Sequence, residues 1–148
     1  MIQWTHKPFD ELSPHELYAI LRLRNEIFVV EQNCVFQDAD NKDQLATHLM
    51  GWKDGALVAY TRLFQKEIMY PMASIGRVVT SSLVRGSGIW KDLMNQSIQL
   101  IYSIWGPQDI KIGAQFYLKK FYESLGFQQT SDIYLEDGIE HIEMIRRS

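Results

Sequence analysis

The chain has 148 residues, with 15 Lys and Arg against 18 Asp and Glu, a formal net charge of −3, and 46% hydrophobic and 22% charged residues. This is the balance of an ordinary globular domain, long enough for a self-sufficient core, and it carries no basic footprint for nucleic acid. No apolar run approaches the roughly 18 residues of a membrane span, the stretch from Met1 to Glu11 has charge and proline where a secretory signal needs an apolar run, and the lone Cys34 excludes an internal disulfide or a cysteine-based zinc site.

The expectation is therefore a cytoplasmic protein with no metal, no membrane and no nucleic-acid partner. In chain order, Ile2-Gln3-Trp4-Thr5 alternates as a short strand. Ser13-Pro14 followed by Glu16 combines an N-cap, a proline at the first helical position and an early acid, so a helix starts at Pro14. Leu17, Ile20, Leu21 and Leu23 form its apolar stripe, with Arg22 and Arg24 off it, and Glu26 to Val30 continues toward a second turn or short helix. Gln32 to Gln44 is polar and irregular. From His48 the period shortens: His48 to Lys53 and Ala56 to Leu63 flank Asp54-Gly55, a strong hairpin signal. Ala73 to Thr80 is a third strand, which runs into Arg85-Gly86-Ser87-Gly88 and a helix over Ile89 to Ile104. Ile110 to Gln115 reads as another strand, Tyr117 to Leu125 as a helix stopped by Gly126, and Gln129 to Leu135 and His141 to Arg147 as closing strands. No linker or repeat divides the chain. Residues 1–148 read as a single α/β domain, a mixed sheet with helices on both faces.

Chemistry concentrates at the strand, glycine turn and helix around Gly86 and Gly88. The two glycines remove side chains where amides of the turn and of the helix start converge on an anion. The turn lacks the Gly-Lys-Ser/Thr of a nucleotide P-loop and the three-glycine spacing of a dinucleotide fingerprint, which disfavours ATP and NAD. By itself the pattern also fits a plain tight turn.

Arg85-Gly86-Ser87-Gly88-Ile89-Trp90 resembles the Arg/Gln-x-x-Gly-x-Gly/Ala phosphate turn of the GNAT-type N-acetyltransferases, with Trp90 standing where that pattern has Gly or Ala. Downstream, Phe121-Tyr122-Glu123-Ser124-Leu125-Gly126-Phe127 looks like the family's late Phe-Tyr-x-x-x-Gly-Phe ending. The blocks Leu21 to Cys34, Gln37 to Asp40, Gly51 to Lys53, Ile75 to Val78, Gly113 to Gln115 and Glu136 to Ile142 look like the ElaA branch, so the resemblance covers essentially the whole chain. It implies a GNAT-like sheet, splayed in the middle, with acetyl-CoA in the gap. Pyrophosphate would lie on the amides of Gly86, Ser87, Gly88, Ile89 and Trp90 beside Arg85, and the pantetheine arm along Arg77, Val78 and Val79. The implied reaction is direct acetyl transfer to a primary amine of a small molecule or peptide. Tyr122 matches the tyrosine that protonates the departing thiolate, and because dimers are common in this family a homodimer is the implied assembly.

Each candidate also has a plainer reading. Tyr122 fits a core aromatic as well as the acid. Glu31 is either a solvated helix-end acid or a group that binds the acceptor ammonium or relays its proton. His48 is either an edge residue of a strand or a base near neutral pH. Gln115 and His141 either line the cleft as substrate-binding groups or serve strand-edge hydrogen bonds. Cys34 reads as a small hydrophobe rather than an acyl carrier. Glu31, Asp38, Asp40 and Asp43 around a mouth would suit a cationic acceptor such as a polyamine or lysine side chain. The rival to the enzyme is a catalytically inactive CoA-binding sensor or interaction module of the same fold.

Overall fold

Asp54 and Gly55 take φ of +51° and +80°, the doubly left-handed turn whose twist matches that of its flanking strands. In the computed structural model, which describes residues 1–148, this turn joins β2 (Thr47–Lys53) to β3 (Ala56–Phe64). β1 (Gln3–Pro8) pairs antiparallel with β2, and β4 (Ala73–Thr80) pairs antiparallel with β3. β5 (Ile110–Gln115) follows β4 and is flanked on its other edge by β8 (Ile139–Arg146), which also pairs with β6 (Phe127–Gln129) and β7 (Tyr134–Glu136). The eight strands form one mixed sheet in the order β1-β2-β3-β4-β5-β8-β6, with β7 beside β8, and only β4 and β5 run parallel.

Helices cover both faces. α1 (Pro14–Arg24) opens with a capping box: Glu16 N–H donates to the Ser13 hydroxyl and Ser13 N–H donates to the Glu16 carboxylate, which satisfies two otherwise orphaned donors. Its Ile20 and Leu23, with Ile27, pack on Met50, Tyr60 and Val79. Leu49, one residue from Met50, points to the opposite face, where it meets Ile89 and Leu93 of α2 (Ile89–Trp105). Met94, Ile98 and Ile101 of α2 complete the larger core with Ile75, Ile110, Ile112 and, beyond α3 (Lys119–Ser124), Phe127.

Three elements differ from the sequence expectation. After Arg24 the chain widens into a π-type turn over Asn25–Glu31, where Gln32 N–H bonds Ile27 and Cys34 N–H bonds Val29. The predicted helix from Tyr117 begins as a tight turn over Phe116–Leu118 and becomes α-helical only at Lys119. The closing segment holds three strands, because a second Asp-Gly turn, Asp137-Gly138 with φ of +50° and +78°, folds β7 onto β8.

The sheet splays where the site lies. β4 and β5 pair only at Ala73 with Ile110 and Ser74 with Lys111, then diverge. A bulge in β4 accompanies the divergence: Val79 faces Tyr60 and Gly76 faces Arg62, so Arg77 and Val78 share the place opposite Thr61. Arg77 takes φ of +48°, a sparsely populated conformation for a residue with a side chain.

Candidate active site

The diverging strands open a cavity of about 920 Å³. β4 contributes Ile75 to Val78 and Thr80, β5 contributes Ile112 to Gln115, and the wide turn after α1 contributes Ile27, Phe28 and Glu31. Gly86, Gly88, Ile89 and Trp90 close one end, Tyr117, Leu118 and Tyr122 stand on the α3 side, and Glu136, Asp137, Ile139 and His141 come from the β7–β8 hairpin.

Gly86 and Gly88 have φ of +81° and +79°, and a Cβ on either would meet nothing within 4 Å. Glycine is needed there for its backbone angles, not for room. α2 starts directly after Gly88 with no side-chain cap, so its first N–H groups lack intrahelical acceptors and sit at the positive end of the helix dipole. Such unpaired amides at a helix start suit an anion. Ser87 does not line the cavity; its hydroxyl donates to the Val84 carbonyl at 2.5 Å and pins the turn.

Tyr122 is 4% exposed and held edge-to-face between Phe121 and Phe127 at centroid distances of 5.2 and 5.9 Å. Burial pushes its hydroxyl above the ordinary phenol range, so it stays protonated at neutral pH. Gln115 Nε2 reaches Gln32 Oε1 at 3.5 Å. His141 stacks on Tyr134, with Nδ1 2.8 Å from the Ile139 carbonyl and Nε2 3.4 Å from Glu136. Cys34 lines the cavity, its Sγ 3.5 Å from the Asp137 carbonyl. Gly113 of β5 also borders the cavity, and a Cβ there would stand 3.3 Å from the Tyr134 hydroxyl.

Several candidates are placed otherwise than expected. Glu31 and Arg85 form one bidentate ion pair, 2.8 and 2.5 Å, with side chains 41% and 43% exposed. The Arg85 hydrogen bonds hold the Glu31 carboxyl below its usual range. The mouth thus carries a neutral pair in place of a free carboxylate and a free guanidinium. The Val79 side chain is fully buried against α1 and points away from the cavity, while the expected pairing with a pantetheine arm concerns its backbone. Asp38, Asp40 and Asp43 supply no surplus negative charge: Arg24 contacts Asp38 and Asp43 at 2.9 Å, Arg62 contacts Asp40 and Asp43 at 2.8 Å, and Arg77 lies 2.8 Å from Asp38. Three acids meet three arginines. The cluster therefore offers no excess negative charge to draw in a polyamine or lysine side chain.

His48 is likewise corrected. It is wholly buried outside the cavity, with Nδ1 2.6 Å from the Tyr60 hydroxyl and Nε2 2.9 Å from the Asp43 carbonyl, so neither nitrogen is free to act as a base. Burial lowers its pKa. The unfolded chain binds a proton that the folded chain refuses, so His48 stabilises fully above about pH 6.5 and progressively less below it. Urea unfolding at about pH 7.5 and about pH 5.5 should show that loss reduced in His48→Gln.

A sequence profile of the Acetyltransferase (GNAT) domain matches residues 24–148. The chain belongs to the GNAT acetyltransferase family. This GNAT domain is similar to Protein ElaA of Escherichia coli strain K12, 40% identical over 148 residues that cover 99% of this chain and 97% of that protein. The crystal structure of an acyl-CoA N-acyltransferase from Pseudomonas aeruginosa matches it with a TM-score of 0.95 at 41% identity, covering 99% of both chains. The crystal structure of Escherichia coli ElaA matches with a TM-score of 0.93 at 40% identity over 99% of this chain and all of that one. The ElaA-like GNAT family and its splayed α/β fold, expected from the sequence, are thereby shown.

Proposed function

We propose that this GNAT protein is an acetyl-CoA-dependent N-acetyltransferase that moves an acetyl group directly to the primary amine of a small molecule or peptide. One observation carries the reading: the uncapped glycine turn at the start of α2 and the buried, protonated Tyr122 open onto the same cavity between β4 and β5. The residues fit such a donor. The amides following Gly88 suit a pyrophosphate, with Arg85 beside them, and the strand edges freed where β4 leaves β5 suit the amides of a pantetheine arm. The thioester supplies the activated acyl group. Tyr122 holds a proton for the departing sulfur, while Gln115 and His141 border the acceptor side, and an ordered water is able to take the proton from the acceptor amine. No helix is long and apolar enough to cross a membrane, in keeping with the cytoplasmic location that belongs to this proposal.

A second reading, a CoA-binding module without turnover, draws on Trp90, whose bulk occupies a position that in the family's turn is Gly or Ala. Free CoA release from acetyl-CoA, measured against polyamines, aminoglycosides, amino acids and lysine peptides, separates the two. Saturable release supports the enzyme. A CoA-induced rise in melting temperature without release supports the module, and neither response removes both.

The turn gives its own test. Gly88→Val forces a β-branched residue into the left-handed region, at a cost of about 1–2 kcal/mol, and sets a side chain at the anion site. CoA-induced thermal stabilisation should disappear in this variant while the protein remains folded; full retention would remove the turn as the phosphate site.

A further inference from the structure

Trp90 is the one residue of the phosphate turn that departs from the GNAT pattern, and its indole Nε1 is buried with no hydrogen-bond partner. Buried donors are rarely left so, because each unmade bond carries the full desolvation penalty. The indole lies edge-to-face on Phe121, centroids 6.4 Å apart at 74°, and Phe121 lies edge-to-face on Tyr122 at 5.2 Å and 69°. Trp90 and Tyr122 line the same cavity. The arginines that border it are already engaged, Arg85 with Glu31, Arg77 with Asp38, and Arg62 with Asp40 and Asp43. The indole acts on the acidity of the Tyr122 hydroxyl, lowering a pKa that burial raises.

We propose that Trp90 is a positioning residue for Tyr122, its indole N–H turning onto the tyrosine oxygen in the free protein and bonding it more strongly as that oxygen gives up its proton. This rests on the acetyltransferase reading above. In the step concerned, the acceptor nitrogen bonds to the acyl carbon, the carbon–sulfur bond breaks, and its electron pair leaves on sulfur. The Tyr122 proton passes to that sulfur, giving the CoA thiol. The phenolate left among Phe121, Phe127 and Trp90 has the indole N–H as its neutral donor until it regains a proton from water, while the acceptor nitrogen loses one to water. The bulk of Trp90 and its departure from the pattern then have one explanation: a small residue at this position carries no donor.

The test reads the free protein as well as the reaction. The chain has four tryptophans, so an ¹⁵N-labelled sample shows their indole signals, and Trp90→Phe identifies the Trp90 signal by its loss. Should that variant not fold, the signal is assigned by eliminating those of Trp4, Trp52 and Trp105. Tyr122→Phe keeps the ring, so ring-current effects persist and only the oxygen is removed; the Trp90 signal is expected to move while the other indole signals stay. In Trp90→Phe, kcat for CoA release should fall about tenfold with the KM for acetyl-CoA unchanged, the effect of one lost hydrogen bond in the transition state. An indole signal unchanged in Tyr122→Phe overturns the proposal, as does one that moves only when acetyl-CoA is added, which would make the ligand its acceptor. The indole comparison needs no turnover, so failure of the acetyltransferase reading and failure of this pairing appear in different measurements.

Discussion

Asp43→Ala is expected to destabilise the fold by about 3–5 kcal/mol, the cost of breaking a buried ion pair from one side. Asp43 accepts from Arg24 at 2.9 Å and from Arg62 at 2.8 Å through the same oxygen. Those two arginines are 0% and 2% exposed, so the loss of the carboxylate leaves guanidinium charge where water does not reach. Asp40→Ala should cost less, because Asp40 is partly exposed and Arg62 keeps Asp43. Urea midpoints of the two variants check the order, and equal losses would refute it. The same cluster sets an acid limit. Burial pushes the Asp40 carboxyl up, but the hydrogen bonds and charge of Arg62 and Arg77 outweigh it and hold the group at about 2. Asp43 is lowered in the same way by Arg24 and Arg62. Depressed folded values mean that the stabilisation is complete above the unfolded Asp value of about 3.9 and is lost as pH falls from there toward about 2.

Tyr122→Phe is expected to lower kcat for CoA release by about a hundredfold or more, the scale of a lost general acid, with little change in CoA affinity or melting temperature. The ring packing against Phe121 and Phe127 needs no hydroxyl, so a stability effect would signal a structural role. Unchanged release rates in a folded variant would take the acid role from Tyr122 and pass the proton to solvent or another cavity group.

Local chemistry explains which parts of the fold are legible in the sequence. The Asp54-Gly55 turn, the Ser13-Pro14-Glu16 start of α1, the strand Ala73–Thr80 and the helix from Ile89 each depend on residues a few positions apart, and each stands where those residues place it. The splay between β4 and β5 has no local signature and was expected only through the family resemblance. The site's electrostatics were hidden for the same reason, since Glu31 meets Arg85 and Arg24 meets Asp43 only after folding. Two signals were nevertheless present. Arg24, expected off the apolar stripe, is instead wholly buried: it falls four residues after Ile20 and three before Ile27, both buried, so it occupies the core face, where a cation needs a buried partner. Arg62 alternates with Tyr60 and Phe64 on β3, which implies the same. Asp137-Gly138 repeats the Asp-Gly signal of the first hairpin and marks the β7–β8 hairpin that reading Gln129 to Leu135 as one strand obscured.

The short β4–β5 pairing divides the sheet into two mechanical halves, stitched edge to edge at only two register positions, Ala73 with Ile110 and Ser74 with Lys111. Beyond those positions the two strand edges diverge and face the cavity. A pantetheine arm bound there as proposed above would complete the secondary structure itself, so occupancy and stiffness would rise together. Hydrogen bonding that most sheets commit during folding is, in this molecule, left uncommitted between β4 and β5 beyond those two positions.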